Sequence, residues 1–480
     1  MDPCFETATG LGRAIRNGRL TSAEATEAHL QRIARINGPV NALVVVDRAG
    51  ALKAARAADR ARAKKGPKLG PLHGVPITIK EAFDVAGLAT TSSHPPLKDN
   101  VAKTDASLVA RLRAAGAVIL GKTNVPELCR DFQTDSPLFG TTKNAWDARR
   151  TAGGSTGGGA VAVAARMSPL EIGSDIGGSV RNPAHYNGIF SLKPTEWRVP
   201  GRGHVPDLPG QTRTTRYMGV FGPLARSTED LETALRIIAG PDGYEAEAPP
   251  VPLGPTPRLK AGELRIAVLE SDPLVRVSAD TAAVVQATAK LLAKAGARVK
   301  RAEPTELDWR QGFDDWIDLF QYQNRALEPL EVRQPFFGSD GGSDPSARSM
   351  VRTARLDMAE FFAVLDRRDH VMRQCEAFLD DYDAWLMPVM PDAAFIRQPQ
   401  TQPLRIDGVD HPYFFAGCSY NFLANLTGQP SIVLPCGFSK EGLPIGLQLT
   451  GKRWDDARLL GVAKVLEKLL PPCPVPPNFA

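Results

Sequence analysis

"GAVILGKT", residues 116–123, satisfies G-x-x-x-x-G-K-[ST], the pattern of a loop that cradles phosphates. A phosphate loop follows a strand and opens a helix at its lysine, so that successive backbone N–H groups curl round the anion. Here the flanks run the other way. Leu108, Val109 and Leu112 share one side of a helical pattern over Thr104–Ala115, and Gly116 stands where a C-terminal cap glycine belongs. Ala117–Leu120 is a short β-type run between the two glycines. Pro126 opposes a helix start at the lysine. The stretch is expected to be a helix end followed by a buried strand, and nucleotide binding is not expected.

The surroundings continue this alternation. Thr21 and Glu24 have capping-box spacing at the start of a helix whose apolar positions recur to Ile36, before "NGP" is expected to stop it. Ala51–Lys65 reads as an exposed helix ended by Gly66-Pro67. "GVPITIKEAF", residues 74–83, reads as a strand in which Ile77 and Ile79 alternate with Thr78 and Lys80, so Lys80 points away from the isoleucine face. "PPVPLGPTP", residues 249–257, is a surface connection; "ELRIAVLES" after it is a strand, and Ser278–Gly296 an amphipathic helix. Residues 309–385 read as mostly helical, with Trp309, Phe313, Trp316 and Phe320 at helical spacing as core aromatics. "PSIVLPCGF" and "LPIGLQLTG" form a closing strand pair before a last helix. Strands alternating with helices predict an α/β layered fold.

Composition limits the function. The 480 residues carry 58 basic and 53 acidic side chains, a net charge of +5, which is too mild and too mixed to point to nucleic acid or a membrane surface. Six cysteines lie far apart with no C-x-x-C pair, so free thiols are expected rather than a zinc site or a disulfide framework. The N-terminal stretch "MDPCFETATGLGRAIRNGRL" lacks the apolar core of a secretory signal, and no apolar run is long enough to span a bilayer. A reduced, cytoplasmic enzyme is expected.

Two glycine-rich stretches carry the chemistry. "TAGGSTGGGA", residues 151–160, has no lysine after its glycines and is a poor phosphate loop, but it frees space beside Ser155 and Thr156. "GSDIGGSVRNPA", residues 173–184, presents Ser179 directly after two glycines, where successive N–H groups can converge on one oxyanion. A nucleophilic serine needs a base. None of the seven histidines sits in a G-x-S-x-G context. A lysine can serve if it is neutral, and burial against apolar strand residues favours the neutral form. Lys80 is the candidate.

On "GVPITIK" ending in Lys80, "GGSTGG" with Ser155, and "GSDIGGSVRNPA" with Ser179, the chain resembles an amidase signature hydrolase. "GAVILGKTNVPE", "FSLKPT" and "NLTGQPSIVLPCG" are further stretches similar to that family, as is the separation of 24 residues between Ser155 and Ser179. The likeness runs from about residue 10 to residue 465. It implies a single amidase signature domain over 1–480: a large mixed β-sheet covered by helices on both faces, with core motifs in 60–230 and a helical substrate-side region in 300–400. It implies that Ser179 is the acyl-enzyme nucleophile, Ser155 a proton relay and Lys80 the base. The N–H groups of Ile176, Gly177, Gly178 and Ser179 would form the oxyanion hole, and the Gly154–Ser155 peptide would be cis. Thr156, Asp175 and Arg181 would support the nucleophile loop. Leu128, Cys129 and Arg130 would line the substrate pocket. Neither a metal nor a cofactor is implied. The substrate would be a small amide or carbamate, with an apolar pocket for bulky or aryl groups shaped by the helices after Trp309 and the loop Glu196–Tyr217. A homodimer is the default assembly.

The chain departs from the family pattern at Thr156 for a common serine, at Gly159, and at Ala145 and Ala152 for frequent prolines; none of these removes a catalytic group. Two other readings share the scaffold. One is the glutamine-hydrolysing subunit of a tRNA-dependent amidotransferase, and the other is a non-catalytic binding protein.

Overall fold

The computed structural model describes residues 2–64, 69–205, 215–325, 344–354 and 357–479. Its frame is an 11-stranded sheet. The strands are β1 (Leu43–Val46), β2 (Pro76–Lys80), β3 (Val118–Thr123), β4 (Leu170–Asp175), β5 (Phe190–Lys193), β6 (Val220–Ala225), β7 (Arg265–Val268), β8 (Arg298–Arg301), β9 (Ala384–Pro388), β10 (Ser431–Phe438) and β11 (Pro444–Thr450). Across the sheet the order is β1-β3-β2-β4-β6-β5-β10-β11-β9-β7-β8. β2 pairs in parallel with both β3 and β4, whereas β4, β6, β5, β10 and β11 are joined by antiparallel pairs.

The central strands are apolar on both faces, as a sheet covered on two sides requires. Period-two alternation sorts their side chains into separate cores. Ile77, Ile79, Ile119, Ile432 and Leu434 pack on one face, with the helices Ser107–Ala114, Thr228–Ile238 and Asp456–Leu469. Val118, Leu120 and Val433 point to the other face, against the helix Gly157–Ala164. Towards β9, Trp385 and Met387 on that second face meet the helices Trp309–Arg325 and Met358–Phe378. The chain is thus an α/β protein with one large mixed sheet and helices on both faces.

The 116–123 stretch is the turn that ends a helix followed by a strand. Gly116 has φ +92° after the helix Ser107–Ala114, and β3 then runs unbroken through Gly121, Lys122 and Thr123. Lys122 is fully buried, and its Nζ donates to Ala89 O at 2.6 Å and Thr90 Oγ1 at 2.7 Å. The expected strand end at Leu120 was too early, because pairing with both β1 and β2 carries the ladder to Thr123.

Thr21 and Glu24 form the expected capping box, but the helix does not stop at Asn37-Gly38-Pro39; it runs to Val40. Asn41, in the left-handed conformation, ends it, donating its N–H to Asn37 O at 2.7 Å. Gly66-Pro67, residues 206–214 of the loop Glu196–Tyr217, and residues 326–343 lie outside the described residues. All six cysteines are unpaired thiols. Among the described residues no helix is long and apolar enough to cross a membrane, and no group of three His, Cys, Asp or Glu could hold a metal.

Candidate active site

β2 and β4 are parallel neighbours, so their C-terminal ends lie side by side, and each ends on a site residue: Lys80 on β2 and Asp175 on β4. Loops leaving the carboxyl ends of parallel strands are where α/β sheets build sites. The helix Gly157–Ala164 covers this end of the sheet and brings Ser155 and Thr156 in from its N-terminal side. The Gly154–Ser155 peptide is cis.

Lys80 is fully buried. Its Nζ donates to Ser155 Oγ at 2.6 Å and to Ser174 Oγ at 2.9 Å. Burial lowers its basicity below the ordinary lysine value, and the nearby charge of Asp175 opposes that only in part. Glu171, its neighbour on β4, is pushed up to about 8 by burial and accepts a hydrogen bond from Thr123 Oγ1 at 2.7 Å. Near neutrality Glu171 is therefore mostly an uncharged acid, and Lys80 has two hydroxyls rather than a carboxylate as its hydrogen-bond partners.

The nucleophile loop is held from below. Asp175 accepts from Gly178 N at 2.9 Å and Val180 N at 3.0 Å, and forms a two-pronged pair with Arg181, Nη2 to Oδ1 at 2.9 Å and Nε to Oδ2 at 3.2 Å. Burial works against the Asp175 charge, but Arg181 outweighs it and holds the carboxyl well below the usual carboxylate range. Gly178 has φ +113°, a conformation side-chain-bearing residues rarely adopt. A Cβ on Gly177 would lie 2.7 Å from Trp316, whose Nε1 donates to Ile176 O at 3.0 Å. The Asn182 amide ties the two glycine-rich stretches together: it donates to Gly154 O at 2.7 Å and Gly178 O at 3.0 Å and accepts from Gly154 N at 3.0 Å. Thr156 N donates to Ser179 O at 3.1 Å.

Ser155 and Ser179 both line one cavity. Leu128, Cys129 and Arg130 line it too, on a turn where Leu128 and Cys129 have φ +50° and +59°. Ile176, Val220, Phe221 and Phe320 make an apolar wall. Of the four aromatics at helical spacing, Trp309, Phe313 and Trp316 are core, whereas Phe320 faces the cavity. Of the four backbone groups expected to bind an oxyanion, Gly178 N–H is engaged by Asp175. Two polar residues at the site were not singled out from the sequence. Ser174 lies inside a quoted motif yet gave no signal, and nothing separated His204, which lines the cavity, from the other six histidines.

Comparison with known proteins agrees with this geometry. The amidase family model matches residues 24–460. An indoleacetamide hydrolase of Bradyrhizobium diazoefficiens is 34% identical over 474 residues, covering 96% of this chain and 86% of that protein. A glutamyl-tRNA(Gln) amidotransferase subunit of Roseiflexus castenholzii is 33% identical over 498 residues, covering 98% of this chain and 97% of that protein. The structure of 6-aminohexanoate cyclic dimer hydrolase complexed with substrate superposes with a TM-score of 0.83, at 26% identity and over 100% of both chains. The chain belongs to the amidase family, hydrolases that cleave the carbon–nitrogen bond of amides.

Proposed function

We propose that this protein hydrolyses small carboxylic amides with an apolar acyl or aryl group through an acyl-enzyme on Ser179. The observation that carries the reading is the contact of 2.6 Å between Lys80 Nζ and Ser155 Oγ at the floor of a cavity that Ser179 also lines. Lys80, neutral, takes the proton of Ser155 as Ser155 takes that of Ser179. Ser179 Oγ attacks the carbonyl carbon, and the oxyanion is met by N–H groups of Ile176, Gly177 and Ser179. The protonated relay returns its proton to the leaving nitrogen, the C–N bond breaks, and the amine departs. Water then enters by the same relay and releases the acid.

The apolar wall of Ile176, Val220, Phe221 and Phe320 supports bulky apolar acyl or aryl groups. Carbamates are a second candidate class, because serine attack on their carbonyl gives an analogous tetrahedral intermediate. The likeness to an amidotransferase component supports a second reading, in which glutamine is the amide and a partner receives the ammonia. Intact-mass spectrometry after treatment with a fluorophosphonate tests the first reading. One adduct on the wild type and none on Ser179→Ala is expected; an adduct that survives in Ser179→Ala would refute it. Hydrolysis of glutamine but not of anilides or aliphatic amides would favour the second.

A further inference from the structure

Lys80 carries a second hydrogen bond that the acyl-transfer reading does not use. Ser174 Oγ is 2.9 Å from Lys80 Nζ, and on its far side is 2.9 Å from His204 Nε2. Ser155, Lys80, Ser174 and His204 thus form one continuous chain of polar contacts.

The placement of His204 is built, not incidental. The segment around it is laced to the residues that directly follow Lys80: Asp84 N donates to Gly203 O at 2.8 Å, Val205 N to Ala82 O at 2.6 Å, and Phe83 and His204 pair across an antiparallel bridge. The imidazole packs against both Phe83 and Phe221, with ring centroids 4.8 and 4.9 Å away. Phe221 is in turn the register partner of Ser174 across β4 and β6.

Counting protons gives this arrangement a direction. A neutral lysine amine has two N–H donors and one lone pair, and a serine hydroxyl has one donor. For Lys80 to accept the Ser155 proton, its lone pair must face Ser155, so Ser174 must accept an N–H from Lys80 rather than donate to it. The Ser174 proton then needs another acceptor, and His204 Nε2 lies where it would point. This requires a neutral imidazole with its proton on Nδ1. Removal from water, and next the charge of Lys80, hold His204 well below its ordinary basicity, which favours that state.

We propose that His204 is a positioning residue for the base: by accepting the Ser174 hydroxyl proton it reserves the Lys80 lone pair for Ser155. The proposal rests on the acyl-transfer reading above. Without an acceptor at 204, the Ser174 hydroxyl turns back and donates into that lone pair, in competition with Ser155.

The rate of inactivation by diisopropyl fluorophosphate tests this without a known substrate. In that reaction Ser179 Oγ bonds to phosphorus, fluoride leaves, and the hydroxyl proton passes through Ser155 to Lys80. His204→Leu is expected to slow inactivation by about tenfold or more, and His204→Gln, whose carbonyl oxygen reaches towards the Nε2 position, to restore most of it. In a Ser174→Ala background there is no hydroxyl to turn back, so adding His204→Leu should change the rate by less than about twofold, a coupling that a purely structural role would not produce. An unchanged rate in His204→Leu, or an equal loss in both backgrounds, would overturn the proposal. If His204→Leu does not fold, the comparison of His204→Gln with the shorter His204→Asn decides. Gln fast and Asn slow is expected, and equal rates overturn it. Modification of Ser179→Ala, or a Lys80→Met variant as fast as wild type, would instead overturn the acyl-transfer reading itself, whatever His204 does.

Discussion

Lys80 and Glu171 sit on adjacent parallel strands, both fully buried, yet they do not form an ion pair; Lys80 bonds to two serines and Glu171 to Thr123. A buried lysine and a buried carboxylic acid, each pushed towards its neutral form, share one end of the sheet. Both groups therefore answer to pH, in ways that can be measured separately.

The rate of Ser179 modification should rise with pH. The folded-state basicity of Lys80 is lowered, so the neutral base accumulates as pH climbs through a value below the ordinary lysine figure of about 10.4. The pH profile of fluorophosphonate inactivation is expected to climb from neutral to mildly alkaline pH. A maximum near about pH 5, where lysine is charged, would contradict the assignment. Lys80→Arg should be inactive at every pH, because a guanidinium does not deprotonate.

Glu171 should make the protein less stable as pH rises. Its folded pKa of about 8 lies above the ordinary glutamate value, so the folded state holds a proton that the unfolded chain has lost. Stability from this group is full below the ordinary glutamate pKa and is lost progressively up to about 8. Urea unfolding of Glu171→Gln at several pH values should show a shallower decline than wild type across that window.

Asp175→Asn should unfold easily. It leaves the Arg181 guanidinium, which is fully buried, without its charge partner, and loss of one member of a buried pair costs about 3–5 kcal/mol. Denaturant unfolding reads the loss. Activity should fall even where the variant stays folded, since Asp175 also fixes Gly178 and Val180.

Gly159→Ala should destabilise although alanine is the better helix former. A Cβ there would lie 2.4 Å from Glu171 Cγ, and overpacking a tight core costs about 1–3 kcal/mol. Thermal unfolding should show a lowered Tm, and an unchanged Tm would mean that Glu171 can move aside. The same contact accounts for glycine at 159.

Much of this was legible from local pattern. The alternation of Ile77 and Ile79 with Lys80 located β2 and turned the lysine from the isoleucine face; the flanks of Gly116 exposed the phosphate-loop pattern as a strand; and the helix expected over Ser278–Gly296 is found at Ala279–Lys294. These depend on neighbours in the chain. What was not legible depends on distant ones. Helix continuation through Pro39 is settled by Asn41, whose side chain also donates to Phe139 O at 2.7 Å, 98 positions away. His204 reaches Ser174 only because its loop pairs with residues 82–84, a contact without periodicity, cap or motif. Phe320 differs from Trp316 in its surroundings, not in its spacing.

The strand order has a consequence for biosynthesis. β10 and β11, residues 431–450, occupy the middle of the sheet, between β5 and β9. A nascent chain that has not yet emerged past residue 430 therefore holds a six-stranded and a three-stranded part of the sheet with no strand between them. Each presents an open edge, β5 on one and β9 on the other, and such edges recruit strands from other chains. The catalytic half can be translated in full and still lack the hairpin that seals it. Termination before residue 431 should thus yield a sticky, aggregating product rather than a shortened enzyme.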